Sequence, residues 1–349
     1  MGIKTMIQKK FQNLFIGIVF NENECTLRCK VVQNDAIKKT FSKTFSIEFS
    51  QEALDQNVEN YIIALQEEYQ FVYIAFLLNS MGQGAIEGCN AASFKKYDVD
   101  IQNVHHTTVS NLWSAYASHI EIKWAKNLFS EIGLDLIYSP FILLNDFVIS
   151  QKLKNKPTCY ILNCQDFFVL AIFEDRKVHF GAFFKTQSDT SFAHSSETND
   201  WETEEKEENI AALGELPEID EIDNDEMSDL ADIGDIDDFR SVDSFADMDD
   251  VKTLGHFQGL NQVSQEDSSL ELYGRDLLVY KYLKSSLEEY YHNPAYKSEF
   301  IEEIVIFDAY EISSDLIRQL EDELMMDVEI HKVDVVDRMC DIAIKEIFA

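Results

Sequence analysis

Thr158–Lys185 reads TCYILNCQDFFVLAIFEDRKVHFGAFFK, three apolar, β-rich runs at Thr158 to Asn163, Phe167 to Phe173 and Val178 to Lys185. The last two are joined at Glu174-Asp175-Arg176, a polar trio of hairpin type. The stretch is decisive because it restarts a pattern. The chain opens with Leu14 to Phe20, Cys25 to Gln33 and Ile37 to Ile47, separated by the polar turns Asn21-Glu22-Asn23 and Gln33-Asn34-Asp35. Each half therefore begins with an antiparallel meander.

The elements after each meander also match. In the first half, Gln51 to Tyr69 places Leu54, Val58, Tyr61, Ile62 and Leu65 at helical spacing, and Phe71 to Leu78 is a continuous apolar run suited to a buried strand. Asn79 to Thr108 is less regular. Glu121 to Ile132 then reads as a helix closed by Gly133, Leu134 to Tyr138 as a strand and Pro140 to Ser150 as a helix. In the second half the pattern predicts helices at Arg275 to Tyr291, Ser313 to Leu324 and Val335 to Phe348. Strands fall between them at Glu303 to Phe307 and Val328 to Val333, and Ser313-Ser314 supplies N-cap material. Two copies of β-β-β-α-β-α-β-α predict an α/β chain of two mixed sheets flanked by helices, with a cleft between them.

The 349 residues are 46% apolar and 27% charged, enough for two packed cores. A net charge of -35 disfavours nucleic-acid binding, which needs the opposite sign. Ser196 to Asp250 holds 23 acids against Lys206 and Arg240, so this stretch alone carries -21. That density of like charge predicts a disordered insertion, assigned to 196–269, between a first domain at 1–150 and a second built from 151–195 and 270–349. Within it Met227, Leu230, Ile233, Ile236, Phe239, Val242, Phe245, Met248 and Val251 recur every third residue. That interval drifts by about 60° per step on an α-helix and forms no single face. Leu230, Ile233, Ile236, Phe239, Val242 and Phe245 are therefore candidate anchors for a second protein partner, and a solvating acidic spacer is the equal alternative.

Cys25, Cys29, Cys89, Cys159, Cys164 and Cys340 are scattered without a C-x-x-C pair, the pattern of packed thiols in a reducing compartment, and no metal site is expected. No uncharged apolar run reaches the 18 to 20 or so residues of a membrane helix, and MGIKTMIQKKFQ lacks a signal-type apolar stretch. The expected location is cytoplasmic.

Three stretches resemble the actin-like proteins of bacterial envelope machines, the PilM family of type IV pilus systems and the cytoplasmic part of GspL in type II secretion. They are Phe15-Ile16-Gly17-Ile18-Val19, the run AKNLFSEIGLDLIYSPFILLN from Ala125 to Asn145, and the second meander from Tyr160 to Phe184; the final 75 or so residues look like the family's closing part. GspL continues into a membrane helix, so PilM is the nearer likeness. The resemblance implies an actin-like, duplicated ribonuclease H-like fold that binds ATP between its domains. Glycine-bearing turns let backbone N–H groups approach phosphates, and an aspartate near each first turn holds hydrated magnesium. Here the first-turn positions read Val19 and Asn21, the second-turn positions Asn163 and Gln165, and the C-terminal glycine pair is Asp308-Ala309. All three sites depart together, which predicts a pseudo-ATPase with no cofactor and no catalytic residues. The rival expectation is an active actin-like ATPase with divergent phosphate turns, which neighbouring Asp166 would serve if the register is displaced by a residue or two.

The resemblance further implies a scaffold at the inner face of the inner membrane, held there only through partners. The first domain would receive the cytoplasmic tail of a PilN-like inner-membrane protein, and self-association is compatible with this role. A type IV pilus, a secretion or DNA-uptake system and a flagellar motor are all open as the machine. Other motifs are weaker. Ser80-Met81-Gly82-Gln83-Gly84 lacks the G-K-[ST] ending of a P-loop and reads as a turn. His105, His106 and His119 read as solvated histidines, and Trp113, Tyr116, Trp124 and Phe129 as helix core.

Overall fold

Strand β1 (Asn13–Asn21) shows how the sequence builds the layers. Its side chains alternate, as a pleated strand requires: Leu14, Ile16, Ile18 and Phe20 enter one apolar cluster, while Phe15 and Val19 enter another on the opposite face. β1 pairs antiparallel with β2 (Glu24–Gln33), which pairs antiparallel with β3 (Ala36–Ser46). On its other side β1 runs parallel to β4 (Phe71–Leu77), and β4 runs parallel to β8 (Leu136–Tyr138), giving the order β3-β2-β1-β4-β8. The computed structural model describes residues 8–21, 23–47, 53–151, 154–186 and 263–348, with side chains of its longest helix described from Gly274 onward.

The second sheet repeats the first. β9 (Thr158–Asn163), β10 (Phe167–Glu174) and β11 (Lys177–Lys185) form the meander, and β9 runs parallel to β12 (Glu303–Asp308), itself parallel to β13 (Asp327–Lys332). The order β11-β10-β9-β12-β13 is the first sheet's order over again. Cys159 and Ile161 face outward and Tyr160 and Leu162 inward, the same alternation as in β1.

Each sheet carries helices on its outer face. The first is covered by α1 (Gln56–Glu68), started by Asp55, whose carboxylate accepts the N–H groups of Asn57 and Val58, and by the inward residues of α3 (His119–Leu128). The second is covered by α5 (Val263–His292) and α6 (Ser314–Leu324). α5 starts at Val263, inside the segment assigned to the insertion. The remaining helices exchange. α4 (Pro140–Ser150), which comes after the first sheet, packs on β9 and β10 of the second; α7 (Val335–Phe348), which ends the second half, packs on β1, β2 and β4 of the first. One inner apolar cluster results, running from Phe15, Val19 and Leu77 through Phe141, Phe147, Met339 and Ala343 to Tyr160, Leu162 and Phe307. Phe147 and Phe307 stack at 5.3 Å within it.

The stretch expected to be irregular contains a third sheet. β5 (Gln83–Glu87), β6 (Val104–Val109) and β7 (Trp113–Ser118) pair antiparallel in the order β5-β7-β6, with the short α2 (Ala91–Lys96) between β5 and β6. Trp113 and Tyr116 therefore stand on a strand and not on the expected helix. Trp113 is fully buried and meets Phe173 of β10 edge-on at 5.9 Å, so the small sheet is anchored to the second half. β5 lies against β11 so closely that a Cβ on Gly181 would come within 2.8 Å of the Ala85 Cβ and 2.9 Å of the Ala85 carbonyl oxygen. The acidic stretch Ser196 to Asp250, with Leu230, Ile233, Ile236, Phe239, Val242 and Phe245, lies outside the described residues.

Candidate functional site

In open sheets with parallel strands, ligands bind outside the carboxyl ends of those strands. Here those ends are Asn21 and Leu77 to Asn79 in the first lobe, and Asn163 to Asp166 and Asp308 to Tyr310 in the second. Counted back from the two hairpin turns, Asn21 stands where Cys164 does and Val19 where Leu162 does. Asn163 and Gln165 are thus one residue out of step with the pairing read from sequence. Asn163 points to the outer face, because it continues the row Cys159-Ile161, as Asp308 continues Ile304-Ile306.

These two side chains meet. Asn163 Nδ2 donates to Asp308 Oδ1 at 2.7 Å, and both residues are buried. The Asn163 amide oxygen in turn accepts from Arg275 Nη2, which also donates to the Cys164 carbonyl, while Arg275 Nε donates to the Gln165 carbonyl at 3.0 Å. Arg275 comes from α5, on the buried row it shares with Val279 and Leu283. It lies over the Tyr310 ring at 4.9 Å, with its Nη1 3.8 Å from Asp276 Oδ1. Asp276 uses its other oxygen to accept the Ser313 N–H at the start of α6. One guanidinium thereby ties together the end of β9, the end of β12 and the helix above them.

The electrostatics derive from burial. Asp308 titrates above its ordinary value because it is desolvated, with the Asn163 hydrogen bond and Arg275 pulling the other way. Burial likewise lowers Arg275, opposed first by Asp276. The Cys164 thiol is pushed up to about 12 by burial, so it is a packed thiol with no thiolate to offer. Backbone donors near the turn are engaged as well: Cys164 N–H donates to the Phe167 carbonyl at 3.0 Å and Ala309 N–H to the Asn163 carbonyl at 2.9 Å.

The first lobe closes its carboxyl end with amides. Asn79 Nδ2 donates to the Phe20 carbonyl at 2.9 Å, and Gln83 Nε2 donates to the carbonyls of Leu78 at 3.0 Å and Ser80 at 2.7 Å. Ser139 Oγ donates to Gln83 Oε1 at 2.8 Å, which fixes the amide's orientation. Val19 is buried in the inner apolar cluster, and Asn21 is half-buried at the strand's end. Gly82, with a φ of 77°, makes the turn in Ser80–Gly84 that carries Gln83 inward.

Sequence reasoning brought Asn163 and Asp308 to attention but missed Arg275, which is 112 residues from Asn163. The available signal was an Arg-Asp pair on the apolar row of a helix. The histidines separate from this site. His105 on β6 meets His119 at 4.2 Å edge-on, and His106 packs on Phe94 at 4.9 Å. Among the described residues no group of three or more His, Cys, Asp or Glu could hold a metal ion. Nor, among them, is any helix long and apolar enough to cross a membrane.

Two sheets of identical strand order, each meander-led and each covered by the other's exchanged helix, define an actin-like fold. Residues 159–348 match the family described as Domain of unknown function (DUF8341), and the chain belongs to that family. Residues 11–145 match a second model, Domain of unknown function (DUF8569). No curated protein matches the sequence. Among solved structures, the chain is similar to a Bacteroides thetaiotaomicron protein with actin-like ATPase fold and unknown function, at 12% identity and a TM-score of 0.46, covering 98% of this chain and 99% of that one. It is also similar to the PilM-PilN type IV pilus biogenesis complex, at 11% identity and a TM-score of 0.48, covering 94% and 90%. The ethanolamine utilization protein EutJ from Carboxydothermus hydrogenoformans is similar at 7% identity and a TM-score of 0.37, covering 94% and 88%.

Proposed function

We propose that this chain is a nucleotide-independent actin-like scaffold, a pseudo-ATPase that serves a bacterial envelope machine by binding the cytoplasmic tail of a PilN-like inner-membrane protein. The observation that carries the loss of nucleotide is the Arg275 knot. A phosphate-binding turn offers free N–H groups to an anion. At this turn the carbonyls of Cys164 and Gln165 converge on a guanidinium, and the amides of Cys164 and Ala309 are given to protein carbonyls. Opening the turn to a phosphate would take the Cys164 and Gln165 carbonyls and the Asn163 amide oxygen from the buried Arg275 guanidinium, a cost of about 1–3 kcal/mol for each buried donor left without an acceptor. The inner apolar cluster bridges the lobes with protein side chains alone.

In this reading Val19, Asn21, Asp308 and Ala309 are the remnants of the nucleotide positions, with Leu162 and Cys164 in the places expected for Asn163 and Gln165. The membrane is reached only through the partner, and the acidic segment before α5, with Leu230 to Phe245, is an arm for a second protein. The alternative of an active ATPase draws on buried Asp166 and Asp308, carboxylates beside the same turn. Thermal unfolding with and without millimolar Mg-ATP separates the two, since a ligand bound only by the native state raises the midpoint by mass action. The expected result is no shift. A saturable rise of several degrees would overturn the proposal in favour of the ATPase.

A further inference from the structure

The two lobes treat their meander edges differently. β11, the outer strand of the second meander, has β5 lying against it at Gly181 and Ala85. β3, its counterpart in the first, is the end of its sheet and pairs only with β2 among the described strands. It is 11 residues long, contains no proline, and is interrupted only by a bulge opposite Val31 and Val32. A bare edge of this length presents a row of N–H and C=O groups to any strand that can dock.

Lysines often guard such edges, and β3 carries Lys38, Lys39 and Lys43 with no acid. Two of them are folded away from the backbone. Lys39 Nζ lies 4.7 Å over the Phe41 ring, and Lys43 Nζ lies 4.5 Å over Phe45 and 4.0 Å over Tyr61 of α1. Held there, they decorate one face of the strand and leave the edge itself open. That face reads Lys39, Phe41, Lys43, Phe45, with the two rings half-buried opposite Cys29 and Cys25. Charge isolates the region further. Residues 1–47 hold eight Lys and Arg against three Asp and Glu, in a chain whose net charge is -35.

We propose that the β3 edge is a docking site for an acidic, extended peptide segment, which adds to the first sheet as a sixth strand. Its acids would stand beside Lys39 and Lys43 and its apolar residues beside Phe41 and Phe45, the cross-strand neighbours that favour pairing. The site is separate from the Arg275 knot and holds whether or not nucleotide binds.

The probe is a fluorescein-labelled peptide of about eleven residues with threonine at every other position and glutamate and valine taking turns at the positions between, so that one face carries both, long enough to span β3 at the usual strand rise, titrated with the full-length protein by fluorescence anisotropy. Binding should weaken about tenfold or more in the Lys39→Glu, Lys43→Glu double variant, and by a similar factor when the peptide's glutamates are replaced by lysine. N-methylating alternate backbone amides of the peptide leaves its charge intact and the protein untouched. One of the two alternate sets should abolish binding and the other should leave it within about twofold, because only one set faces the edge. Equal loss from both sets, or from neither, would overturn strand addition, as would a failure of the acidic peptide to outbind its lysine counterpart.

Discussion

Where the two lobes exchange helices, the same geometry is met by opposite chemistry. Beneath α4 the second sheet presents Tyr160, Ala171 and Phe173, all members of the inner apolar cluster. At the positions that correspond by counting from the hairpin turns, the first sheet presents Gly17, Arg28 and Lys30 to α7. Gly17 admits the helix: a Cβ there would stand 2.8 Å from Cys340 Sγ and 3.1 Å from the Val336 carbonyl oxygen. Lys30, almost wholly buried, reaches Asp337 at 2.9 Å and Asp341 at 2.6 Å, and Arg28 pairs with Asp334. Internal duplication thus preserved the layers while leaving their contents free, because the strands need only the alternation and the helix needs only a surface that fits.

The comparison breaks most severely at the second lobe's carboxyl end. Arg275→Ala strips the guanidinium from two carbonyls and the Asn163 amide and leaves buried Asp276 without its cation, so a loss of about 3–5 kcal/mol is expected, read as a fall in the urea midpoint at unchanged slope. If Arg275→Ala unfolds at the wild-type midpoint, the knot is not what closes the turn.

Gly17→Ala tests whether α7 is held as closely as its geometry states. Overpacking against Cys340 and the Val336 backbone should cost about 1–3 kcal/mol and raise amide exchange in α7 more than in α4. Uniform change across both helices would argue against a local clash.

The smallest effect sharpens the ionic half of the contrast. Burial opposes the charge on Lys30, but its hydrogen bonds to Asp337 and Asp341 outweigh that cost, so it titrates above the ordinary lysine value of 10.5. A base raised in the folded state contributes stability that is complete below its unfolded value and lost as pH climbs through the folded one. Lys30→Met should therefore cost about 1 kcal/mol at neutral pH, with the gap to wild type closing above pH 10.5. A gap that stays constant across that range would assign Lys30 a packing role alone.

Much of this molecule was legible in its residues. Continuous apolar, β-rich runs at Leu14–Phe20 and Thr158–Asn163 announced both meanders, and Val335–Phe348 was read to both its ends, because local pattern and burial coincide in these elements. The small sheet was not legible: β6 reads VHHTTV, largely exposed and polar, and an edge strand with no fully buried residue carries almost no periodic signal. Trp113 and Tyr116 misled for the related reason that large aromatics serve strands and helices alike.

The sequence by itself determined the duplicated α/β layout and the charge segregation, since each is a property of neighbours along the chain. Only the tertiary structure decided that α4 and α7 change places, that β11 has β5 alongside it while β3 pairs only with β2 among the described strands, and that Arg275 enters the turn after β9. Those outcomes join residues far apart along the chain, and a long-range contact is chosen by the shape and charge that remain once every local element has formed.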